Sequence, residues 1–127
     1  MNQHHVFVYG TLRKGECNHF LLSKAKLVLP HCWTYGVLYD TGEGYPCMLP
    51  HAQQRVIGEV YAVTDEELER LDELEGYCGP GKNNLYDRIS QIVYSGNREI
   101  LAQLYVYADD NILDLEIIES GDWVQGK

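Results

Sequence analysis

Positive charge is scarce in this chain. Ten lysines and arginines stand against nineteen aspartates and glutamates, for a net charge of −9. The ten are scattered, so no basic stripe exists to neutralise phosphates, and nucleic-acid binding is excluded as a reading. Metal-ligand spacing is missing as well. Cys17, Cys32, Cys47 and Cys78 form no Cys-x-x-Cys pair, and His4, His5, His19, His31 and His51 form no His-x-x-x-His pair, so no metal is expected. No apolar run is long enough to span a bilayer, and no membrane partner is expected. The opening residues Met1-Asn2-Gln3-His4-His5 run straight into a strand-like segment without the features of a signal peptide. A cytoplasmic protein with free thiols is therefore the expectation, because cysteines are neither dense nor in a secretory context. What is present is ordinary for a globular protein, 45% hydrophobic and 23% charged residues over 127 positions. That length suits a single domain, residues 1–127.

The pattern along the chain is rich in strands. His5–Tyr9 is a short apolar run that stops at Gly10, and Gly10–Glu16 reads as a polar loop. Cys17–Lys24 reads as a short helix, and Lys26–Pro30, Trp33–Tyr39 and Arg55–Val63 as strands. Thr41–Pro46 between them is turn-rich. Tyr86–Tyr94 and Ile100–Tyr107, rich in β-branched and aromatic residues, make the clearest hairpin, with Ser95-Gly96-Asn97-Arg98 as its turn. Gly76–Asn84, with three glycines, Pro80 and two asparagines, reads as a mobile loop. About six strands and two helices predict an α+β domain built on a curled sheet or small barrel.

One helix carries the chemical signal. Thr64 as N-cap with Glu67 three residues on is a capping-box signature, and Leu68, Leu71 and Leu74 follow as an apolar stripe. Projected at about 100° per residue, Glu75 falls inside that stripe, roughly 40° from its middle. Glu66, Glu69 and Glu73 point to solvent, with Asp72 at the boundary. A carboxylate on the apolar side is desolvated, which raises its pKa toward the range useful for proton transfer near neutrality. The alternative is that the helix frays at Gly76 and Glu75 swings out to water.

At the front of the chain, Tyr9-Gly10-Thr11-Leu12-Arg13 is a strand end followed by small and polar residues. Gly10 would let backbone amides approach an anion, and Thr11 adds a hydroxyl. By itself it is equally a strand-to-helix turn. Together with Leu71-Asp72-Glu73-Leu74-Glu75-Gly76-Tyr77 it resembles the γ-glutamylcyclotransferase-like family, whose opening motif and catalytic-glutamate segment these two stretches match. Gly44-Tyr45-Pro46, Tyr86-x-Arg88 and Ser120-Gly121-Asp122-Trp123 follow in the family's order. The resemblance implies a small mixed β-barrel flanked by short helices and a reaction without metal or organic cofactor. That reaction converts a γ-glutamyl amide to 5-oxoproline and a free amine.

Under that resemblance Glu75 is the expected general acid and base. Tyr9, Gly10, Thr11 and Leu12 are expected to hold the glutamyl head, with Tyr45, Tyr86 and Arg88 as further substrate-binding residues. The Tyr86 hydroxyl and the loop amides are both candidates to stabilise the oxyanion. Arg13 is either a carboxylate ligand or a solvated loop residue, and Trp123 a lid over the edge of the core. Tyr86 and Arg88 have a plain alternative too, packing and pairing with acidic surface. The expected partner is a small γ-glutamyl amine rather than glutathione, with the amine left open among amino acids, polyamines and aminoglycoside-like groups. The Gly76–Asn84 loop is expected to form part of the specificity surface, and the protein to be a monomer. Two competing classes are a non-catalytic module of the same fold that senses an acidic metabolite, and a cysteine-dependent amidase.

Overall fold

In the computed structural model, which describes residues 3–50, 53–109 and 115–124, alternation in β1 (Gln3–Val8) sets the architecture. Val6 and Val8 face one core, while Phe7 and the following Tyr9 face another, as a period of two requires. The remaining elements are β2 (Lys26–Tyr35), β3 (Val37–Asp40), β4 (Pro46–Leu49), β5 (Arg55–Thr64), α1 (Asp65–Glu75), β6 (Tyr86–Ser95), β7 (Arg98–Tyr107) and β8 (Glu116–Ile117). A 3-10 turn at His19–Leu22 precedes β2.

Five strands close a barrel in the order β1-β5-β2-β6-β7, and β4-β3-β8 form a separate small sheet. Every barrel seam is antiparallel except β1 against β7, which makes the barrel mixed, as expected. Phe7, Val56, Val60, Val93, Leu104 and Val106 belong to one core, which Leu38, Met48 and Ile118 join from the small sheet. Val8, Tyr61, Val63 and Tyr105 belong to the other, against Leu68 and Leu71 of α1. Leu71 is fully buried, and its truncation to alanine would cost about 3 kcal/mol through lost transfer energy and the cavity left behind.

Several elements differ from the sequence reading. Lys26–Pro30 and Trp33–Tyr39 are not two strands of equal standing. β2 runs unbroken through Pro30, and its register against β5 shifts twice between Leu27 and Cys32, which accommodates a residue with no N–H to donate. It ends at Tyr35. Gly36 then passes the chain to β3 in the other sheet. The expected helix at Cys17–Lys24 is only the 3-10 turn; the side chain of Asn18, its N-cap, makes no cap hydrogen bond, and its Nδ2 donates to Thr11 Oγ1. β4 is not read as a strand from the sequence; only its first residue, Pro46, falls in the turn-rich stretch 41–46, sitting at the first strand position where the missing N–H is tolerated. The 86–107 hairpin is as expected, with Ser95 paired to Arg98 across the two-residue tip Gly96-Asn97. The Gly76–Asn84 loop is internally tied. Asn84 accepts from the Cys78 amide at 2.7 Å and donates to Gly79 O and Asp87 Oδ1 at 2.9 Å. Trp123 is a buried core residue rather than a lid at an edge, its Nε1 donating to Glu16 at 3.0 Å. His51, Met1 and Asn2 lie outside the described residues.

Candidate active site

Both ends of α1 are fastened by local sequence. At the start, the Thr64 hydroxyl accepts from the Glu67 amide at 3.2 Å and the Glu67 carboxylate from the Thr64 amide at 2.8 Å. At the end, Gly76 adopts φ 67°, a left-handed conformation that glycine reaches without strain, and the Tyr77 amide returns to Asp72 O at 2.9 Å. The helix therefore does not fray before Glu75. The last helical residue is held at the wall of a cavity of about 350 Å³.

That cavity gathers four of the five sequence motifs. Tyr9, Gly10, Thr11 and Leu12 line one wall, Gly44, Tyr45 and Pro46 a second, and Glu75 and Tyr86 a third. The first two meet at close range. A Cβ on Gly10 would lie 2.7 Å from Pro46 Cγ, so the first loop and the β3–β4 hairpin can approach this closely only over a glycine. The fifth motif lies behind the first loop. Arg13 Nε donates to Glu59 at 2.8 Å, and its Nη1 donates to Asp122 at 2.7 Å. Arg13 is thus neither solvated nor turned to the cavity.

Arg88 does not join the lining residues. It pairs with Asp72 and lies over the ring of Tyr77, 4.9 Å from its centre. The other Asp72 oxygen accepts from the Tyr105 hydroxyl at 2.6 Å, so helix α1 is anchored to β6 and β7 one turn before Glu75. The expected loop 76–84 does not line the cavity either. Its flanks do, through Leu74 and Glu75 on one side and Leu85 and Tyr86 on the other. Leu74, expected to be buried, is 40% exposed and forms part of the rim.

The electrostatics follow from this packing. Glu75 is half-buried, and among the described residues no hydrogen bond or ion pair holds its carboxylate. Burial raises its pKa to about 7. The phenols facing it are pushed upward, Tyr9 and Tyr86 by burial first and by the Glu75 charge second, so both stay protonated. Their hydrogens are committed: Tyr9 donates to Tyr105 O at 2.6 Å and Tyr86 to Pro46 O at 3.0 Å. The amides of Gly10, Thr11 and Leu12 make no hydrogen bond within the described structure, whereas the next two are used, Arg13 to Gly10 O and Lys14 to Glu59. Three successive donors are thus left unused, the kind of backbone resource an anion can draw on. Among the described residues no three His, Cys, Asp or Glu side chains converge as a metal site would need.

Sequence reasoning missed Glu59 and Tyr105. Glu59 is 6% exposed and accepts from Arg13, the Lys14 amide and the Tyr61 hydroxyl. Its one signal was a charged residue inside an otherwise apolar run, Val56 to Val63. Tyr105 was one of ten tyrosines, with nothing to single it out.

A cavity lined by residues with unspent amide donors and by an unpaired carboxylate is a site suited to a small acidic molecule. The comparisons with known proteins agree with this class and narrow it. The family model described as gamma-glutamyl cyclotransferase, AIG2-like, matches residues 6–125, and the chain belongs to that family. It is accordingly a γ-glutamylcyclotransferase-like enzyme. It is 45% identical over 121 residues to the gamma-L-glutamyl-butirosin B gamma-glutamyl cyclotransferase of Niallia circulans, covering 94% of this chain and 75% of the relative. Among solved structures it resembles an AIG2-like protein of Mus musculus, with a TM-score of 0.73, 26% identity, and 96% and 90% of the two chains covered. It also matches YkqA of Bacillus subtilis, with a TM-score of 0.76 and 27% identity. That match takes in 96% of this chain and 40% of YkqA.

Proposed function

We propose that the protein releases 5-oxoproline and a free amine from a γ-glutamyl amine, with Glu75 as the single general base and acid. The observation that carries this reading is the unpaired carboxylate at the cavity wall with a pKa near 7. The α-ammonium of the glutamyl group gives a proton to Glu75, and the freed amine attacks its own γ-carbonyl. A C–N bond forms in the five-membered ring, and the C–N bond to the departing amine breaks as Glu75 returns its proton to that nitrogen. The freed carboxylate takes the surplus proton from the ring nitrogen and hands it to the released amine, which leaves as an ammonium. Nucleophile and electrophile belong to one molecule, so little entropy is lost on approach and proton handling dominates the barrier.

The amides of Gly10, Thr11 and Leu12 supply the donors for the substrate's anionic oxygens. With the hydroxyls of Tyr9 and Tyr86 already committed, these amides are the better supported of the two candidate oxyanion donors. Tyr9, Tyr45 and Tyr86 shape the walls. Arg88 acts at one remove, through Asp72, rather than as a ligand. The relative named for γ-glutamyl-butirosin supports an amine, rather than a peptide, as the departing group.

The cysteine-dependent amidase loses ground on two counts. Burial pushes the Cys32 and Cys47 thiols up to about 12, and among the described residues no hydrogen bond joins a cysteine to a histidine.

The test is 5-oxoproline release, measured by mass spectrometry, from a panel of γ-glutamyl amines, with Glu75→Gln beside the unchanged protein. Turnover that falls by about a thousandfold in Glu75→Gln, with circular dichroism unchanged, is the expected result. Full turnover in the variant would rule out Glu75 as the proton carrier. Silence of the unchanged protein across the panel, with thermal shifts from γ-glutamyl amines, would favour the sensing module.

A further inference from the structure

The cavity lining is lopsided in charge. Among the described residues that form it, Glu75 and Glu43 are acidic, and none is Lys, Arg or His. Glu75 has its role. Glu43 does not, and it is the exposed residue at the tip of the hairpin that joins β3 to β4.

That tip is built rather than loose. The Thr41 hydroxyl donates to Tyr45 O at 2.6 Å, and the Gly42 amide to Asp40 Oδ1 at 2.8 Å. The Glu43 amide donates to the Thr41 hydroxyl at 3.3 Å, and the Tyr45 hydroxyl to Glu43 Oε2 at 3.0 Å. Tyr45 and Pro46 of the same hairpin form the cavity wall, so Glu43 keeps a fixed bearing on it. Glu43 also acts on Tyr107, on the neighbouring strand end, whose phenol pKa is raised by burial first and then by Cys47, Asp109 and Glu43. Because the Tyr45 hydroxyl takes only one lone pair of one oxygen, Glu43 keeps acceptor capacity for a cation.

We propose that Glu43 is a specificity residue that pairs with a second positive charge on the departing amine, so that the preferred substrates are γ-glutamyl derivatives of diamines and polyamines. This rests on the cyclotransferase reading and adds the class of amine to it. The glutamyl head carries one ammonium and one carboxylate, and the inner wall already offers a partner for each, Glu75 and the loop amides. A carboxylate at the exposed rim, with no cation among the described residues of the lining, is left for the part of the substrate that reaches outward. A charge-assisted pair there, partly open to water, is worth about a three- to tenfold preference and weakens with salt.

The experiment compares kcat/KM for γ-glutamyl derivatives of α,ω-diamines of three to six carbons with the n-alkylamides of equal length, in which a methyl replaces the terminal ammonium. The expected result is a diamine preference that falls toward one in Glu43→Gln, inverts in Glu43→Lys, and shrinks in the unchanged protein as salt is raised. An unchanged ratio in both variants, or no preference to begin with, would overturn the proposal and leave the cyclotransferase reading standing. Equal loss on both substrate series would assign Glu43 to the glutamyl head and also overturn it. Turnover of neither series by the unchanged protein would remove the cyclotransferase reading itself.

Discussion

Two carboxylates flank the first loop, and they could hardly be treated more differently by the fold. Glu59, on the barrel side, is nearly inaccessible and accepts from three donors: Arg13 Nε at 2.8 Å, the Lys14 amide at 2.9 Å and the Tyr61 hydroxyl at 3.0 Å. Glu75, on the cavity side, is more open and has no such partner among the described residues. A buried charge must be compensated or its pKa moves. Glu59 is compensated, and what it does is hold Arg13 and Lys14, the residues that follow directly on Gly10–Leu12 of the cavity wall. Glu75 is not compensated, and its pKa moves to about 7, where a carboxylate can take and return a proton. Burial alone would have chosen the wrong acid. The pattern of donors tells the compensated carboxylate from the uncompensated one.

The sharpest break of this contrast is the pair of isosteric variants. Glu75→Gln should lower 5-oxoproline release by about a thousandfold while leaving circular dichroism unchanged. Glu59→Gln should do the reverse in kind, because it leaves Arg13 half-compensated: a loss of about 3 kcal/mol in denaturant unfolding. Any residual activity per folded molecule would show mainly as a raised KM, since the loop it holds grips the glutamyl head.

Next in size is the effect of pH on stability. The folded pKa of Glu75 lies above its ordinary value of 4.5, so between 4.5 and about 7 the folded state holds more protons than the unfolded one. Stability from this group is therefore greatest at low pH and falls as pH rises through that window. Glu75→Gln should abolish that slope and raise unfolding stability by about 2 kcal/mol at pH 8, read from thermal melts across pH. The same titration governs rate. Turnover should fall as pH drops below about 7, because the protonated Glu75 cannot accept from the α-ammonium, and a kcat/KM profile over pH 5 to 9 would reveal that limb.

The smallest expected effect concerns the far end of the helix. Thr64→Ala removes the capping-box acceptor at the first turn and should cost about 1 kcal/mol of stability with no change in kcat/KM. Activity that fell in step with this loss would mean that the position of Glu75 depends on the whole helix and not on its anchored last turn.

The parts of the molecule legible in the sequence are those fixed by neighbours a few residues apart. The capping box at Thr64 and Glu67, the Gly76 stop and the 86–107 hairpin all depend on local backbone preference, and all are found where the pattern put them. What was misread depended on distant partners. The segment 17–24 was too short to be a stable helix without tertiary help, and Asn18 bonded to Thr11 instead of capping it. β4 is four residues long and is a strand because β3 lies beside it. The five motifs named the region of the site, but not their division of labour. Tyr9, Gly10, Thr11, Leu12, Tyr45, Tyr86 and Glu75 share the cavity, while Arg13 and Arg88 are turned away into ion pairs with acids far along the chain or on the next element.

By itself, the sequence determined the class of fold, the place of Glu75 on the apolar side of the helical projection and the family to which the chain belongs, while the structure decided that the helix does not fray before Glu75. Helical period, strand period and capping are short-range properties, and they survive the absence of any tertiary information. Only the tertiary structure decided which charges are paired and which are left over. Compensation of a charge is a matter of a few ångströms between residues that the chain separates by dozens of positions, as Arg13 is from Glu59 and Asp122. The unpaired carboxylate of Glu75 is what remains, among the described residues of the cavity, after that pairing is complete.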